Sequence, residues 1–310
     1  MERAGLIRAG NHRALAALMR DLDDGRPGAE AQLASVVAGT PPPFVVGVTG
    51  PPGAGKSTLV DALCTRFRGA GQRVGIVAVD PSSPLRGGAI LGDRIRMQQH
   101  ATDAGVFIRS VATRGASGGL SASTAQVIAA LGAGGFSTVL VETVGVGQAE
   151  LDIATTADVT VVVMVPGLGD DVQTLKAGLL EVADVLVVNK GDRPGAEHTR
   201  AELAAMLELR RVTGGPGADV ALLRVVATTG EGVSELHAAL ETLRAVAPEG
   251  RRRRRVALRL EQLVLARVAA TTRAAFASGG VGVALVDQVL AGQRDAESAA
   301  DLLLSRLRGG

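Results

Sequence analysis

The chain of 310 residues carries 33 cationic and 31 anionic side chains for a formal net charge of +2, with 46% apolar and 21% charged residues. This composition excludes wholesale disorder and offers no basic face for nucleic acid, so no nucleic-acid partner is expected. A lone Cys64 excludes an intramolecular disulfide or a thiolate cluster, and His12, His100, His198 and His237 lack ligand spacing.

Residues 1–43 show helical spacing at Leu15, Leu18, Met19 and Leu22 and again at Leu33, Val36 and Val37, broken at Gly25 to Gly28. Pro41, Pro42 and Pro43 stop the pattern, so a helical N-terminal extension is predicted. The opening residues have no signal-peptide pattern. The longest apolar stretch, around Val159 to Val165, is far short of the roughly 18 residues of a membrane span. A cytoplasmic location without a membrane partner is therefore expected.

From 44 to 248, short β-rich runs alternate with helical stretches: FVVGVT, RVGIVAVD, VFIRSVA, TVLVET, DVTVVVMV, DVLVVNK and DVALLRVVA. Several are apolar on both faces, as in parallel strands covered by helices on each side. The predicted fold class is α/β, with a mostly parallel, doubly wound sheet that binds ligands at the carboxyl ends of its strands.

The first strand runs into Gly50-Pro51-Pro52-Gly53-Ala54-Gly55-Lys56-Ser57-Thr58 and then into helical sequence. That is a P-loop in strand, loop, helix context. Backbone N–H groups of Gly53, Ala54, Gly55 and Thr58 would wrap phosphates, Lys56 would reach the β- and γ-phosphates, and the Ser57 hydroxyl would face Mg²⁺. Asp80 ends the next strand, well placed for Mg²⁺ or the attacking water. Asp93 stands either as a helix cap or at the phosphate site. Arg94, Arg96, Arg109 and Arg114 are candidates for phosphate or partner contacts, against surface solvation as the plainer reading.

The run TVLVE leads to Glu142-Thr143-Val144-Gly145, a relative of the DxxG motif that senses the γ-phosphate. Glu142 keeps an oxygen ligand for the metal, and Gly145 lets a backbone N–H approach the γ-phosphate. Val146 stands where Ras-like enzymes keep a water-orienting glutamine. Slow intrinsic hydrolysis, stimulated by a partner, is expected. Gln148 is a nearby substitute or a polar helix start.

The run DVLVV ends in Asn189-Lys190-Gly191-Asp192, the NKxD pattern of GTPases. The Asp192 carboxylate can accept from guanine N1–H and N2–H₂, whereas adenine offers no such donors, and an unpaired carboxylate costs enough for strong discrimination. Asn189 would brace the loop and the Lys190 stem would lie along the base plane. Ala227 and Thr228, within VATTGEG, fit the weaker loop that contacts guanine O6. Residues 249–310 open on Arg251 to Arg255 and continue as helical pattern, a predicted dimerisation arm.

Together these residues make the chain resemble the MeaB/ArgK-type GTPases, accessory proteins of methylmalonyl-CoA mutase within the metallocentre-assembly P-loop GTPases. The combination VDPSSP, GDRIRM and ETVGVGQ is far more specific than a P-loop, and AGNHRALAALM, PGLGDDVQTLKAG and VVNKGD extend the likeness over nearly the whole chain. The resemblance implies a homodimeric GTP-binding and GTP-hydrolysing chaperone for an adenosylcobalamin-dependent acyl-CoA mutase, gating cofactor loading and protecting the enzyme. Adenosylcobalamin would be met only through that partner, and a cobalamin adenosyltransferase is a further candidate. On matching positions, Lys56, Ser57, Asp80, Asp93 and Glu142 would form the phosphate and Mg²⁺ site for GTP or GDP. Asp93, Gln148, Asp170, Asp171 and Lys176 would belong to moving switches, the segment Pro166 to Lys176 being an additional one that couples nucleotide to mutase. Lys176 also stands out as one of only three lysines, with Lys56 and Lys190. A nickel-insertion GTPase and a transport-associated kinase are the alternatives; scattered His and the NKGD motif count against them.

Overall fold

The computed structural model describes residues 3–80, 100, 102–112, 122–143, 153, 155–167, 182–213, 220–246, 249–277 and 279–308. The chain divides into two compact units, Met1–Arg252 and Arg253–Gly310.

In the first unit, helices α1 (Arg3–Arg8), α2 (His12–Asp23) and α3 (Ala29–Val37) precede strand β1 (Phe44–Thr49) and helix α4 (Lys56–Gly69). Strands β2 (Val74–Asp80) and β3 (Val106–Ala112), helix α5 (Ala122–Ala133), and strands β4 (Thr138–Thr143) and β5 (Val159–Met164) follow. Strand β6 (Val185–Val188), helix α6 (Ala196–Thr213), strand β7 (Ala221–Arg224) and helix α7 (Val233–Val246) complete the α/β fold.

The seven strands lie in the order β3-β2-β4-β1-β5-β6-β7, and each pairing between these seven strands is parallel. The chain winds from β1 out to β3, returns to insert β4 beside β1, then winds the other way to β7. The carboxyl end of β1 therefore lies at the reversal of strand order, where open α/β sheets bind ligands.

Alternate strand residues feed opposite faces. Val46, Val48, Ile76, Leu140, Val161 and Val187 face Leu59, Leu63 and Phe67 of α4 and Leu236 and Leu240 of α7. On the other face, Val45, Val77, Val139 and Val141 meet Val127 and Leu131 of α5 with Leu15, Leu18 and Met19 of α2. Val162, Met164, Leu186 and Val188 meet Leu203 of α6. Burial on both sides is why these strands read as unbroken apolar runs.

The N-terminal helices thus cover part of one sheet face. Their anchor is aromatic: the His12 ring lies 5.4 Å from Phe107 and 5.6 Å from Phe136, and the Arg73 guanidinium sits 4.4 Å over the Phe136 ring. Arg3 pairs with Asp21 at 2.6 Å, and Arg109 pairs with Asp23 at the end of α2. Arg109, a sequence candidate for phosphate or partner contacts, is engaged here within the fold.

Strand β7 is shorter than the run DVALLRVVA suggests. Val225 N–H still donates to Val188 O at 2.9 Å, but Val226 turns away to form an antiparallel bridge with Glu231. The apolar run continues while the ladder ends.

The second unit holds most of helix α8 (Glu249–Ala275), with α9 (Val281–Leu290) and α10 (Ala296–Arg308). Leu285, Ala299 and Leu303 form its small core. Val256, Leu260, Val264 and Val268, four residues apart on α8, are exposed at 46–57%. Arg251 to Arg255 lie within α8, across the boundary between the units. No helix among the described residues is long and apolar enough to cross a membrane.

Phe136→Ala should remove the ring on which α2 and the sheet edge meet. We expect a loss of about 3–5 kcal/mol, as for other buried Phe deletions, in the urea transition of the first unit. A loss below about 1 kcal/mol, the range of volume-conserving core changes, would mean that this ring does not hold the N-terminal helices in place.

Candidate functional site

Strand β1 delivers the glycine-rich loop to the sheet's carboxyl edge. Gly50 has φ 139° and Gly55 φ 85°, a region side chains rarely adopt. Space forbids a side chain as well, since a Cβ at Gly50 would meet Val163 O at 2.2 Å and one at Gly55 would meet Asn189 Nδ2 at 2.5 Å. The loop therefore lies pressed across the end of β5 and against the turn after β6.

Gly55 precedes α4 without a side-chain cap, and the first turn of α4 has no acidic residue. Its backbone N–H groups and helix dipole are suited to an anion. Lys56, only 6% exposed, donates from Nζ to Gly50 O at 2.7 Å and to Pro51 O at 2.9 Å. A buried ammonium thus sits over the loop, held by carbonyls. Thr58, two residues on, is exposed in the same helical turn.

Strand β4 brings Glu142 alongside. The register pairs Val48 with Glu142, and Ser57 Oγ donates to Glu142 Oε1 at 2.6 Å. Glu142 is 8% exposed. Just beneath, Thr143 Oγ1 donates to Thr49 Oγ1 at 2.9 Å, tying the two strand ends together. A hydroxyl and a carboxylate in contact, both oxygen donors, fit the hard-cation preference of Mg²⁺. Asp80 ends β2 two residues beyond the Ala78 and Glu142 pairing, though its side chain lies outside the described residues.

The turn after β6 reaches the same loop from the other side. Asn189, 2% exposed, donates from Nδ2 to Ala54 O at 2.8 Å and accepts at Oδ1 from Ala227 N–H at 3.1 Å. One amide joins the phosphate-type loop to the Val226–Glu231 loop. The Ala227 N–H is used in this bridge, while Thr228 beside it is exposed. Lys190 has φ 55° and donates from Nζ to Gly53 O at 2.7 Å. Asp192 is exposed at the rim, beyond Gly191, whose N–H donates to Val225 O at 3.0 Å.

Direct contacts therefore gather Gly53, Ala54, Lys56, Ser57, Glu142, Asn189, Lys190 and Ala227 into one site. The candidates Asp93, Gly145, Gln148, Asp170, Asp171 and Lys176, with Val146, Arg94, Arg96 and Arg114, lie outside the described residues. The sequence reading missed two features. The Thr49 and Thr143 pair has no local signature. Arg224, which donates from Nη1 to Gly191 O at 2.9 Å and pairs with Glu231, is separated from Gly191 by too much chain for that contact to stand out.

Nearby Cys64 is buried in α4, and burial, followed by the charges of Asp61 and Asp103, pushes its thiol up to about 12. It stays a protonated packing group at neutral pH. On the same helix, Arg68 hydrogen-bonds Asp103 at 2.8 Å and, with the Gly105 N–H, holds that carboxyl below the usual range.

A family model described as methylmalonyl Co-A mutase-associated GTPase MeaB matches residues 13–277. A putative GTPase of Pyrococcus horikoshii is 44% identical over 309 residues, covering 98% of this chain and 96% of that protein. The GTPase ArgK of Escherichia coli is 45% identical over 159 residues, covering 51% of this chain and 47% of ArgK. A mouse protein named methylmalonic aciduria type A homolog, mitochondrial, is 38% identical over 201 residues, 64% of this chain and 48% of its own length. The crystal structure of an LAO/AO transport system kinase superposes with a TM-score of 0.70 at 25% identity, covering 99% of this chain and 97% of that one. With the family model spanning most of the chain and an archaeal GTPase aligned almost end to end, this protein belongs to the MeaB family of P-loop GTPases.

Proposed function

We propose that this GTPase gates the loading of adenosylcobalamin into an acyl-CoA mutase, methylmalonyl-CoA mutase in the first instance, and protects that enzyme from inactivation. The reading rests on one observation: a P-loop joined through Asn189 to a base-type loop, in a chain whose family is described as mutase-associated. A cobalamin adenosyltransferase is a second candidate partner, and the arm 249–310, with its exposed apolar stripe on α8, is assigned to homodimerisation in the cytoplasm.

In this mechanism, Gly53, Ala54, Gly55 and Thr58 offer backbone N–H groups to the phosphates. Lys56 exchanges its loop carbonyls for β- and γ-phosphate oxygens. Ser57, Glu142 and Asp80 would hold Mg²⁺, which supplies positive charge to the β- and γ-phosphates when bound with GTP. Gly145 approaches the γ-phosphate, and Asp192 accepts from guanine N1–H and N2–H₂ while Asn189 and Lys190 fix its turn. Ala227 and Thr228 line the O6 side. Asp93, Gln148, Asp170, Asp171 and Lys176 are assigned to segments whose arrangement depends on the nucleotide, the ordering and release by which GTPases switch. With Val146 in place of the water-orienting glutamine, the partner completes the hydrolytic site.

A second reading, phosphoryl transfer to a protein acceptor, is favoured by the name of the solved kinase neighbour. Phosphate transferred to protein with ATP preferred over GTP would select it.

The test is GTP turnover with and without a cobalamin-dependent acyl-CoA mutase. Alone, the protein should turn over on the order of 10⁻³ s⁻¹, as Ras-type enzymes do without their partner, and the mutase should raise that rate. A partner-free rate of about 10 s⁻¹, typical of a completed site, would overturn the reading.

Asp192→Asn should weaken GDP by about 10²-fold, the scale of a lost charge-assisted hydrogen-bond pair, and shift preference toward xanthosine nucleotides. Unchanged guanine preference in a nucleotide titration would remove Asp192 from the base site. Ser57→Ala should abolish the gain in GTP affinity on adding Mg²⁺ while leaving guanine preference intact; an undiminished Mg²⁺ effect would place the ion elsewhere.

A further inference from the structure

Arg224 closes β7, and its side chain runs back over the turn that leaves β6. Its stem covers Gly191 so closely that a Cβ there would come within 2.6 Å of Arg224 Cγ. Its guanidinium donates from Nη1 to Gly191 O at 2.9 Å, pairs through Nη2 with Glu231, and places Nε 3.8 Å from Glu197 Oε1 in the first turn of α6. One planar, multi-donor group thus spans the Asn189–Asp192 turn, the loop ending at Glu231 and the start of α6. A lysine could not do this, because its single ammonium offers a point charge rather than a fork.

The turn needs such a brace. Lys190 has φ 55°, a conformation that non-glycine residues keep only when their surroundings enforce it. On one side, Lys190 Nζ is tied to Gly53 O at 2.7 Å. On the other, Gly191 is gripped at both polar groups: its N–H donates to Val225 O at 3.0 Å and its C=O accepts from Arg224. Asp192 is the next residue, so the direction in which it leaves the turn is set by that gripped peptide.

We infer that Arg224 is a positioning residue for base selection: it fixes the Gly191 peptide so that the Asp192 carboxylate is aligned in advance for a two-point contact with guanine, and through Glu231 it couples the two loops around the base. The inference rests on the proposed reading of Asp192 as the guanine acceptor. Arg224 acts on the base through Gly191 and Glu231, its own contacts in the structure. A two-point contact suffers more from angular freedom than a one-point contact, so the brace matters most for the base with both donors. Inosine nucleotides lack the exocyclic amino group, which makes the ratio of GDP to IDP affinity the sensitive readout. The Glu231 arm is exposed and should weaken with salt, whereas the Gly191 arm is a partly buried hydrogen bond to a neutral carbonyl.

The experiment is equilibrium titration of the full chain with GDP, IDP and XDP, together with GTP turnover, for wild type, Arg224→Ala and Arg224→Lys. Arg224→Ala should weaken GDP about tenfold, one hydrogen bond's worth of alignment, and shrink the GDP to IDP preference. KM for GTP should rise more than kcat falls. Arg224→Lys should recover part of the loss, which also guards against a variant that merely folds poorly. Equal weakening of GDP and IDP, or a drop in thermal midpoint with the preference intact, would reduce Arg224 to a structural residue and overturn the inference. If wild type itself shows no preference for GDP over IDP and XDP, the Asp192 reading fails and the inference falls with it; a wild-type preference that survives Arg224→Ala fails the inference alone.

Discussion

The buried amide of Asn189 is the contact on which the rest of the site depends. Its nitrogen serves the phosphate-type loop through Ala54 O and its oxygen serves the base-type loop through Ala227 N–H. In a low-dielectric surround such bonds are strong, and a buried polar group left without them is costly. The sheet order explains why a side chain is needed. Strand β5 stands between β1 and β6, so the loop leaving β1 must cross the end of β5 before anything from β6 can touch it. Gly50 leaves β1 beside Val163 of β5, where an added Cβ would meet Val163 O, and Asn189 receives the loop on the far side through Ala54 O.

The same constraint accounts for the second strand end. Glu142 leaves β4 on the opposite flank of β1 and meets Ser57 after the loop has entered α4. The loop is therefore fixed from both flanks, by a carboxylate on one side and an amide on the other. Helices covering both faces keep these strand ends in register. Helix α2 belongs to that cover, packed through His12 and Phe107 onto the outer strands, so the N-terminal residues contribute to the site indirectly through the rigidity of the sheet.

Much of this was legible in the sequence because parallel strands buried on both faces leave unbroken apolar runs, and because the loop motifs hold fixed residues at fixed spacing. GPPGAGKST and NKGD announce their chemistry locally. The shortfalls have a common cause. The run through Val225 and Val226 looks like strand throughout, yet the antiparallel bridge to Glu231 draws Val226 off the ladder, a tertiary preference that overrides local propensity. Arg109 looks like any other arginine until Asp23 of α2 meets it. Arg224 and Gly191 are 33 residues apart, and only the adjacency of β6 and β7 turns them into one unit.

The scarcity of lysine takes on a physical meaning in this geometry. Two of the three, Lys56 at the start of α4 and Lys190 in the turn after β6, donate to carbonyls of one short loop, at Gly50, Pro51 and Gly53. An ammonium on a slender stem is a compact point charge with three rotatable donors, which suits it to the adjacent carbonyls inside this buried loop. The Gly50 and Pro51 carbonyls act as placeholders that keep the Lys56 ammonium oriented over the loop through weak, exchangeable bonds, while the Lys190 bond to Gly53 O ties the turn after β6 to that loop. An incoming polyphosphate can replace neutral carbonyl acceptors with charged ones, which bind an ammonium roughly twice as strongly. Much of the ordering of the Lys56 ammonium then precedes nucleotide binding, so that less of the interaction energy is lost to reorganisation.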